Sequence, residues 1–303
     1  MNTTTSVFVA RRPVNAVFAR MADFLELTKP RIVLLELIVA SAAACLAAPH
    51  NLDLVTLLFA LAGTGLVAAS ASTANQWIER FSDATMPRTA NRPLPAGRIT
   101  SHEALLFSAI CLLIGAGLLV WQVNVITAML GLASWILYVP IYTPLKRRST
   151  FNTIVGAVAG AIPILMGWTA TGAPLNLTAW SLAAVLFLWQ FPHFMAIAWL
   201  YRHDYAAAGQ QMLTVVDPSG LRAGGQAIVG AALLVPVSLI PAVMPTGGSP
   251  LLYLTWTFAL GAIQTGLAVR FAIFRDTYSA KLLLRASILF LPAWLAMLLI
   301  VTL

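Results

Sequence analysis

Long apolar runs divided by short polar connections set the pattern of this chain from residue 32 onward. Nine runs stand out: Ile32–Ala48, Leu54–Gln76, Ala104–Trp121, Val125–Tyr142, Asn152–Thr169, Ala179–Trp199, Ala227–Met244, Leu251–Val269 and Leu282–Leu303. A helix needs about 20 apolar residues to cross the hydrocarbon core of a bilayer, and each run approaches that length. Lipid offers no water to backbone N–H and C=O groups, so a spanning segment must satisfy them internally, which selects helix. The expected fold is an all-α membrane protein, a bundle of nine transmembrane helices over residues 32–303 with an N-terminal tail at 1–31. Pro163, Pro192, Pro236, Pro241 and Pro292 fall inside these runs and are expected to interrupt them, opening the bundle for a substrate.

Composition excludes the soluble alternative. Charged residues make up 9% of the chain and hydrophobic ones 60%, with a mean hydropathy of +0.86; a soluble domain carries charge on about a quarter of its positions. The net charge of +8 is not a nucleic-acid footprint, because of where it sits. All 18 basic residues lie in the tail, in the connections after runs two, four, six and eight, or at the adjoining helix ends. The connections after runs one, three, five and seven have none. The positive-inside rule then places the N-terminus in the cytoplasm and the C-terminus on the far side. Arg11, Arg12 and Arg20 beside a single acid, Asp23, also fit the composition of a transit peptide; positive-inside anchoring accounts for the same residues, and a bacterial inner membrane is the expected location. No cleavable secretory leader is expected. Cys45 and Cys111 both lie inside apolar runs without metal-ligand spacing and read as packing residues.

The chemistry concentrates in one segment. Asn75, Glu79 and Asp83 are spaced by four, which at 3.6 residues per turn lines them along one helix face. Two carboxylates and an amide carbonyl are hard oxygen ligands suited to Mg²⁺, which keeps waters and bridges to substrate phosphates. Arg88 and Arg92 follow, also four apart, after the helix-breaking Pro87. Cations beside a metal-binding acidic stripe suit a diphosphate, whose oxygens the metal and the guanidiniums would share. The bland reading, ordinary ion pairs at an exposed helix end, is worth about half a kcal/mol per pair. Acids so close to a span are costly to keep and usually functional. Asn75, Glu79, Asp83, Arg88 and Arg92 are therefore the candidate catalytic residues, the first three also metal ligands.

Three further groups stand on the cationic side. Tyr142, Lys146 and Arg147 either anchor the protein to anionic lipid or bind substrate. His193, beside Pro192, and Asp204 with Tyr205, eleven residues on, complete a candidate substrate site. Glu36 is either a site residue or an acid paired with Lys29 or Arg31; pairing is the expectation.

Five stretches carry a family resemblance: Thr28-Lys-Pro-Arg31, the Asn75–Arg98 segment with its Met86-x-Arg-Thr-x-x-Arg-Pro93 core, Tyr142-Thr-Pro-Leu-Lys-Arg147, Pro192-His-Phe194, and Asp204-Tyr-x-x-Ala-Gly209. The chain resembles the UbiA-type intramembrane prenyltransferases, and within them the protoheme IX farnesyltransferase (heme O synthase) branch. That resemblance implies a central cavity, Mg²⁺, farnesyl diphosphate as donor and heme b as acceptor. The farnesyl carbon would join a heme vinyl group, and water would complete the hydroxyethylfarnesyl substituent of heme O. It also implies downstream partners, a heme A synthase or heme-copper oxidase assembly. Three positions depart from the family pattern: Glu79 stands where Asp is frequent, Gln190-Phe191 where Thr-Pro is, and Gln211-Met-Leu-Thr214 follows Gly209. The rival readings are a prenyltransferase acting on a quinone or aromatic acceptor, and a transporter. Transporter sites usually lie near the bilayer midplane on broken helices, whereas most charges here gather at one face.

Overall fold

The structure, a computed structural model, describes residues 13–243 and 248–303; Arg11, Arg12 and Met244 lie outside the described residues. Among the described residues there are helices and no strands: α1 (Pro13–Leu27), α2 (Pro30–Ala47), α3 (Leu54–Asp83), α4 (Ser101–Leu118), α5 (Val125–Ile136), α6 (Thr143–Leu145), α7 (Asn152–Ala170), α8 (Leu177–Leu200), α9 (Arg202–Ala207), α10 (Leu213–Val216), α11 (Leu221–Leu239), α12 (Pro250–Phe274) and α13 (Thr277–Thr302). Nine spans among these residues are long and apolar enough to cross a membrane, as the sequence pattern predicts.

α7 and α8 form the centre. Trp168, Leu182, Leu186, Trp189, Trp294 and Leu298 from α7, α8 and α13 meet in one core. Trp199, Ala227, Phe271 and Leu283 join α8, α11, α12 and α13 in a second. Lipid tails are as apolar as leucine, so close helix approach comes from small residues. Gly167 of α7 is the tightest case: a Cβ there would lie 1.9 Å from the Ala40 carbonyl oxygen of α2. Large apolar side chains such as Leu58, Leu113, Leu233 and Ile300 point outward.

Three features differ from the sequence reading. First, the tail contains a helix. α1 exposes Val17, Phe18, Met21 and Leu25, buries Leu27 against Leu94, Ile99 and Ala104, and is pinned through Asp23 and Glu26 to Arg98 at 2.7 and 3.0 Å. One apolar face outward and one tied inward is the pattern of a helix lying in the membrane interface. Second, most of the prolines do not break their helices. α7, α8, α11 and α13 run through Pro163, Pro192, Pro236 and Pro292, and Pro241 lies in a 3₁₀ turn after α11. A neighbour can satisfy the carbonyl a proline frees, and Ser134 Oγ donates to Ala159 O, four residues before Pro163, at 3.2 Å. Third, α4 and α5 end in π-helical turns, Leu119–Val123 and Leu137–Tyr142. The second contains Pro140, which cannot donate the regular bond, and Thr143 Oγ1 closes on Tyr138 O at 2.8 Å.

Replacing Gly167 with alanine should drive α2 and α7 apart, at a cost of about 1–3 kcal/mol. The check is the thermal unfolding midpoint in detergent, with Gly225→Ala on α11 as control, where an added Cβ meets nothing within 4 Å.

Candidate active site

The acidic stripe sits on α3, which runs past the apolar run to Asp83. Spacing by four turns all three side chains to the bundle interior: Asn75, Glu79 and Asp83 are 0%, 8% and 1% exposed. Carboxylates so buried need partners, and each finds one on a different segment. Lys146 Nζ, just after α6, lies 2.9 and 3.1 Å from the two Glu79 oxygens. Arg92 Nη1, from the loop after α3, donates to Asp83 Oδ2 at 2.7 Å. Asn75 Nδ2 donates to Glu79 Oε2 and Thr143 Oγ1 at 2.9 and 3.0 Å.

Lys29 is the residue the sequence reading misplaced. Pairing of Glu36 with Lys29 or Arg31 is the expectation; instead the Lys29 Nζ donates to Asn75 Oδ1 at 2.7 Å. Its backbone is left-handed, φ 52°, a conformation that costs a non-glycine residue about 1–3 kcal/mol. Pro30 opens α2 immediately after it, and Gln76 Nε2 holds Leu27 O at 2.7 Å. The α1–α2 link is thus clamped onto α3 with the lysine aimed inward. The signal for it was present in the Thr28-Lys-Pro-Arg31 string.

These groups surround a cavity of about 230 Å³, whose lining includes four cations, Lys29, Arg88, Arg92 and Lys146, and two acids, Glu79 and Asp83. The excess is positive, so the cavity favours a multiply charged anion. Burial, with Arg92 and Lys146 nearby, holds the Lys29 ammonium down to about 7. Burial pulls Lys146 the same way, but the Glu79 carboxylate and its hydrogen bond, with Tyr142 and Tyr138 beside them, together outweigh it and push that ammonium above the usual lysine value. Arg88 lies over the rings of Tyr201 and Tyr205, at 4.5 and 4.8 Å.

The remaining candidates divide. Tyr142 and Tyr205 line the cavity. Asp204 does not; it stands behind Arg88, 3.9 Å from its Nε. Arg147 is exposed, because neighbouring residues on a helical turn point about 100° apart, and Lys146 takes the inward direction. His193 lies away from the polar cavity. It lines a second, largely apolar cavity of about 330 Å³ with Glu36, Tyr138, Trp189 and Phe194. The two cavities share Ile32, Tyr142, Phe194 and Ile197. The His193 ring stacks on Trp189 at 4.9 Å, and its Nδ1 lies 2.9 Å from Ser287 Oγ. Ser287 gives its own proton to Leu284 O at 2.7 Å. Nδ1–H therefore donates, leaving the Nε2 lone pair free.

For a metal, the donor set is open rather than closed. Among the described residues no three His, Cys, Asp or Glu side chains cluster as ligands. Asn75 spends its carbonyl oxygen on Lys29, while Glu79 and Asp83 both face the cavity. Two hard carboxylates one turn apart fit a divalent ion that fills its shell with water and phosphate oxygens.

A match to the UbiA prenyltransferase family covers residues 37–293. The chain belongs to the UbiA prenyltransferase family. It is 41% identical to the protoheme IX farnesyltransferase of Solibacter usitatus, over 90% of this chain and 96% of that one. Two solved structures share the UbiA fold. A digeranylgeranylglyceryl phosphate synthase superposes with a TM-score of 0.75 at 15% identity, covering 93% of this chain and 98% of that one. A UbiA homolog from Archaeoglobus fulgidus, bound to GPP and Mg²⁺, gives 0.67 at 17%, covering 91% and 99%.

The Lys29 ammonium makes a pH prediction. Burial lowers its pKa to about 7, so its charge falls away as the pH rises past that value, and a bound anion stabilises its charged form. Diphosphate affinity should then fall by up to about tenfold per pH unit above pH 7 from this group alone, with proton uptake on binding near pH 8. Calorimetry in two buffers checks it; Lys29→Met should lose this component, and an identical pH slope in that variant would contradict it.

Proposed function

We propose that this chain transfers the farnesyl group of farnesyl diphosphate to a vinyl group of heme b, giving heme O. The observation that supports the reading is the pair of cavities that meet at Ile32, Tyr142, Phe194 and Ile197. One is cationic and sized for a headgroup; the other is apolar and deep. The 41% identity to a protoheme IX farnesyltransferase supports heme b as acceptor.

The residues act in sequence. Lys29, Lys146, Arg88 and Arg92 bind the diphosphate oxygens, with Arg92 sharing its guanidinium between Asp83 and substrate. Glu79 and Asp83 would hold Mg²⁺, with the Asn75 carbonyl oxygen, which accepts from Lys29 Nζ, as a further candidate donor. A bound Mg²⁺ supplies Lewis-acid neutralisation of the charge that grows on the leaving group. As the carbon–oxygen bond breaks, the electron pair leaves with the diphosphate, and the preset cations stabilise it there. The allylic cation left behind faces Tyr138, Tyr142 and Trp189, whose ring faces attract positive charge. The apolar walls keep bulk water from quenching it. His193 lines that cavity, where it would hold the acceptor through the heme iron or a propionate.

The site lies at the end of the bundle that carries the basic connections, and the positive-inside rule puts that end in the cytoplasm. We place the protein in a bacterial cell inner membrane, with its active site open to the cytoplasm, the basic loops resting on anionic lipid headgroups, and its product passing to heme-copper oxidase assembly.

Asp83→Ala should lower turnover by about a hundredfold or more, the scale of losing one preset electrostatic group, while the protein stays folded. Arg92→Lys should lose about tenfold, since lysine cannot bridge Asp83 and a phosphate with a planar fork. Full activity of Asp83→Ala with Mg²⁺ and farnesyl diphosphate would exclude the metal role. The acceptor is tested by incubating membranes with heme b and farnesyl diphosphate and weighing the product. A farnesylated quinone with no heme adduct would replace heme with a quinone acceptor.

A further inference from the structure

Glu36 is an acid on α2, one turn and a half inside the span, and the diphosphate site does not use it. Among the described residues it has no ion pair. Lys29 bonds to Asn75 instead, and Arg31 is exposed. Glu36 lines the apolar cavity beside His193. It also lines a third, smaller cavity of about 60 Å³ between α2, α3, α5 and α7, with Thr64, Ser72, Ser134 and Trp135. Ile32, Glu36, Tyr138, Gly160 and Pro163 line both, and Glu36 is the one acid among these five.

The small cavity has the properties of a water site. A water needs about 10–15 Å³ of such space and two to four polar partners, so this one has room for a few. Thr64 and Ser72 are buried. Neither hydroxyl, nor the Glu36 carboxylate, bonds to another residue among those described. Inside a membrane bundle, polar groups left so are costly, and water removes the cost.

Heme O formation creates a need for this store. When the vinyl terminal carbon attacks the farnesyl C1, its electron pair forms the new carbon–carbon bond and leaves a cation on the inner carbon. That cation must take one water, in a cavity whose walls exclude the bulk solvent. We propose that Glu36 is the general base that delivers a water from the Thr64–Ser72–Ser134 pocket to this cation. The water oxygen's lone pair forms the carbon–oxygen bond, and one water proton passes to the Glu36 carboxylate. Without that base, the cation loses a proton from the neighbouring carbon to the departing diphosphate, and the product is an alkene lighter by one water. His193 is the other basic side chain beside the acceptor, but it lines the apolar cavity and not the water pocket.

This role rests on the heme reading, and one experiment separates the two. Purified protein is given heme b, farnesyl diphosphate and Mg²⁺; released diphosphate and product masses are read together. Glu36→Gln should still form the carbon–carbon bond, while the ratio of hydroxylated to dehydrated adduct falls at least about tenfold, less than the roughly hundredfold or more a general base contributes to a rate because water can still reach the cation unaided. Glu36→Asp should restore part of it. Ser72→Val, which fills the pocket without touching the carboxylate, should shift the ratio the same way. An unchanged ratio in both Glu36→Gln and Ser72→Val overturns the proposal, as does a folded Glu36→Gln that releases no diphosphate, since Glu36 would then act before the cation exists. Wild-type protein that releases diphosphate but makes no heme adduct overturns the acceptor assignment and this role together.

Discussion

Two carboxylates buried at the end of a membrane-spanning helix can stay there only if cations sit on them. Everything at the cationic end of this bundle follows from that requirement. Glu79 draws Lys146 in from the far end of α6, Asp83 draws Arg92 back from the loop that follows α3, and Asn75 draws Lys29 from the α1–α2 link. Three chain segments are tied by these bonds to one face of α3. Because the ties bring more positive than negative charge, the structure that keeps the acids tolerable also makes an anion site.

Depth then divides the labour. The polar cavity gathers the charged side chains, and the apolar cavity that adjoins it offers a hydrocarbon lining. Tyr142 stands in both, and Tyr138 lines the deeper one, their rings 5.1 Å apart. The π turn around Pro140, closed by Thr143 on Tyr138 O, widens the helix at that point, and such turns recur at functional sites. Thr143 also receives Asn75 Nδ2, so the turn and the acidic stripe hold each other in register.

Much of this was legible in the sequence because it depends on local period. Spans announce themselves as apolar runs. A spacing of four puts Asn75, Glu79 and Asp83 on one face whatever else the chain does, and alternating basic loops predict which end gathers charge. What was not legible depends on direction. Lys146 and Arg147 are adjacent and alike in the sequence, and only the turn of the helix decides which one enters the cavity. Lys29 points inward through a left-handed backbone that no composition rule selects. His193 and Asp204 fall close together in the chain, yet one lies in the apolar depth and the other behind Arg88 at the surface. Pairing of Glu36 with a nearby base was the simplest expectation from sequence spacing; it fails because Asn75 holds the lysine.

An experimental structure of the protein with Mg²⁺ and a non-cleavable thio-analogue of farnesyl diphosphate tests the account most directly. The diphosphate is predicted between Glu79 and Asp83 on one side and Lys29, Lys146 and Arg92 on the other, with the isoprenoid chain running past Tyr142 and Phe194 toward Trp189. A diphosphate bound elsewhere, or a chain leaving the bundle into lipid without entering the cavity beside His193, would contradict it.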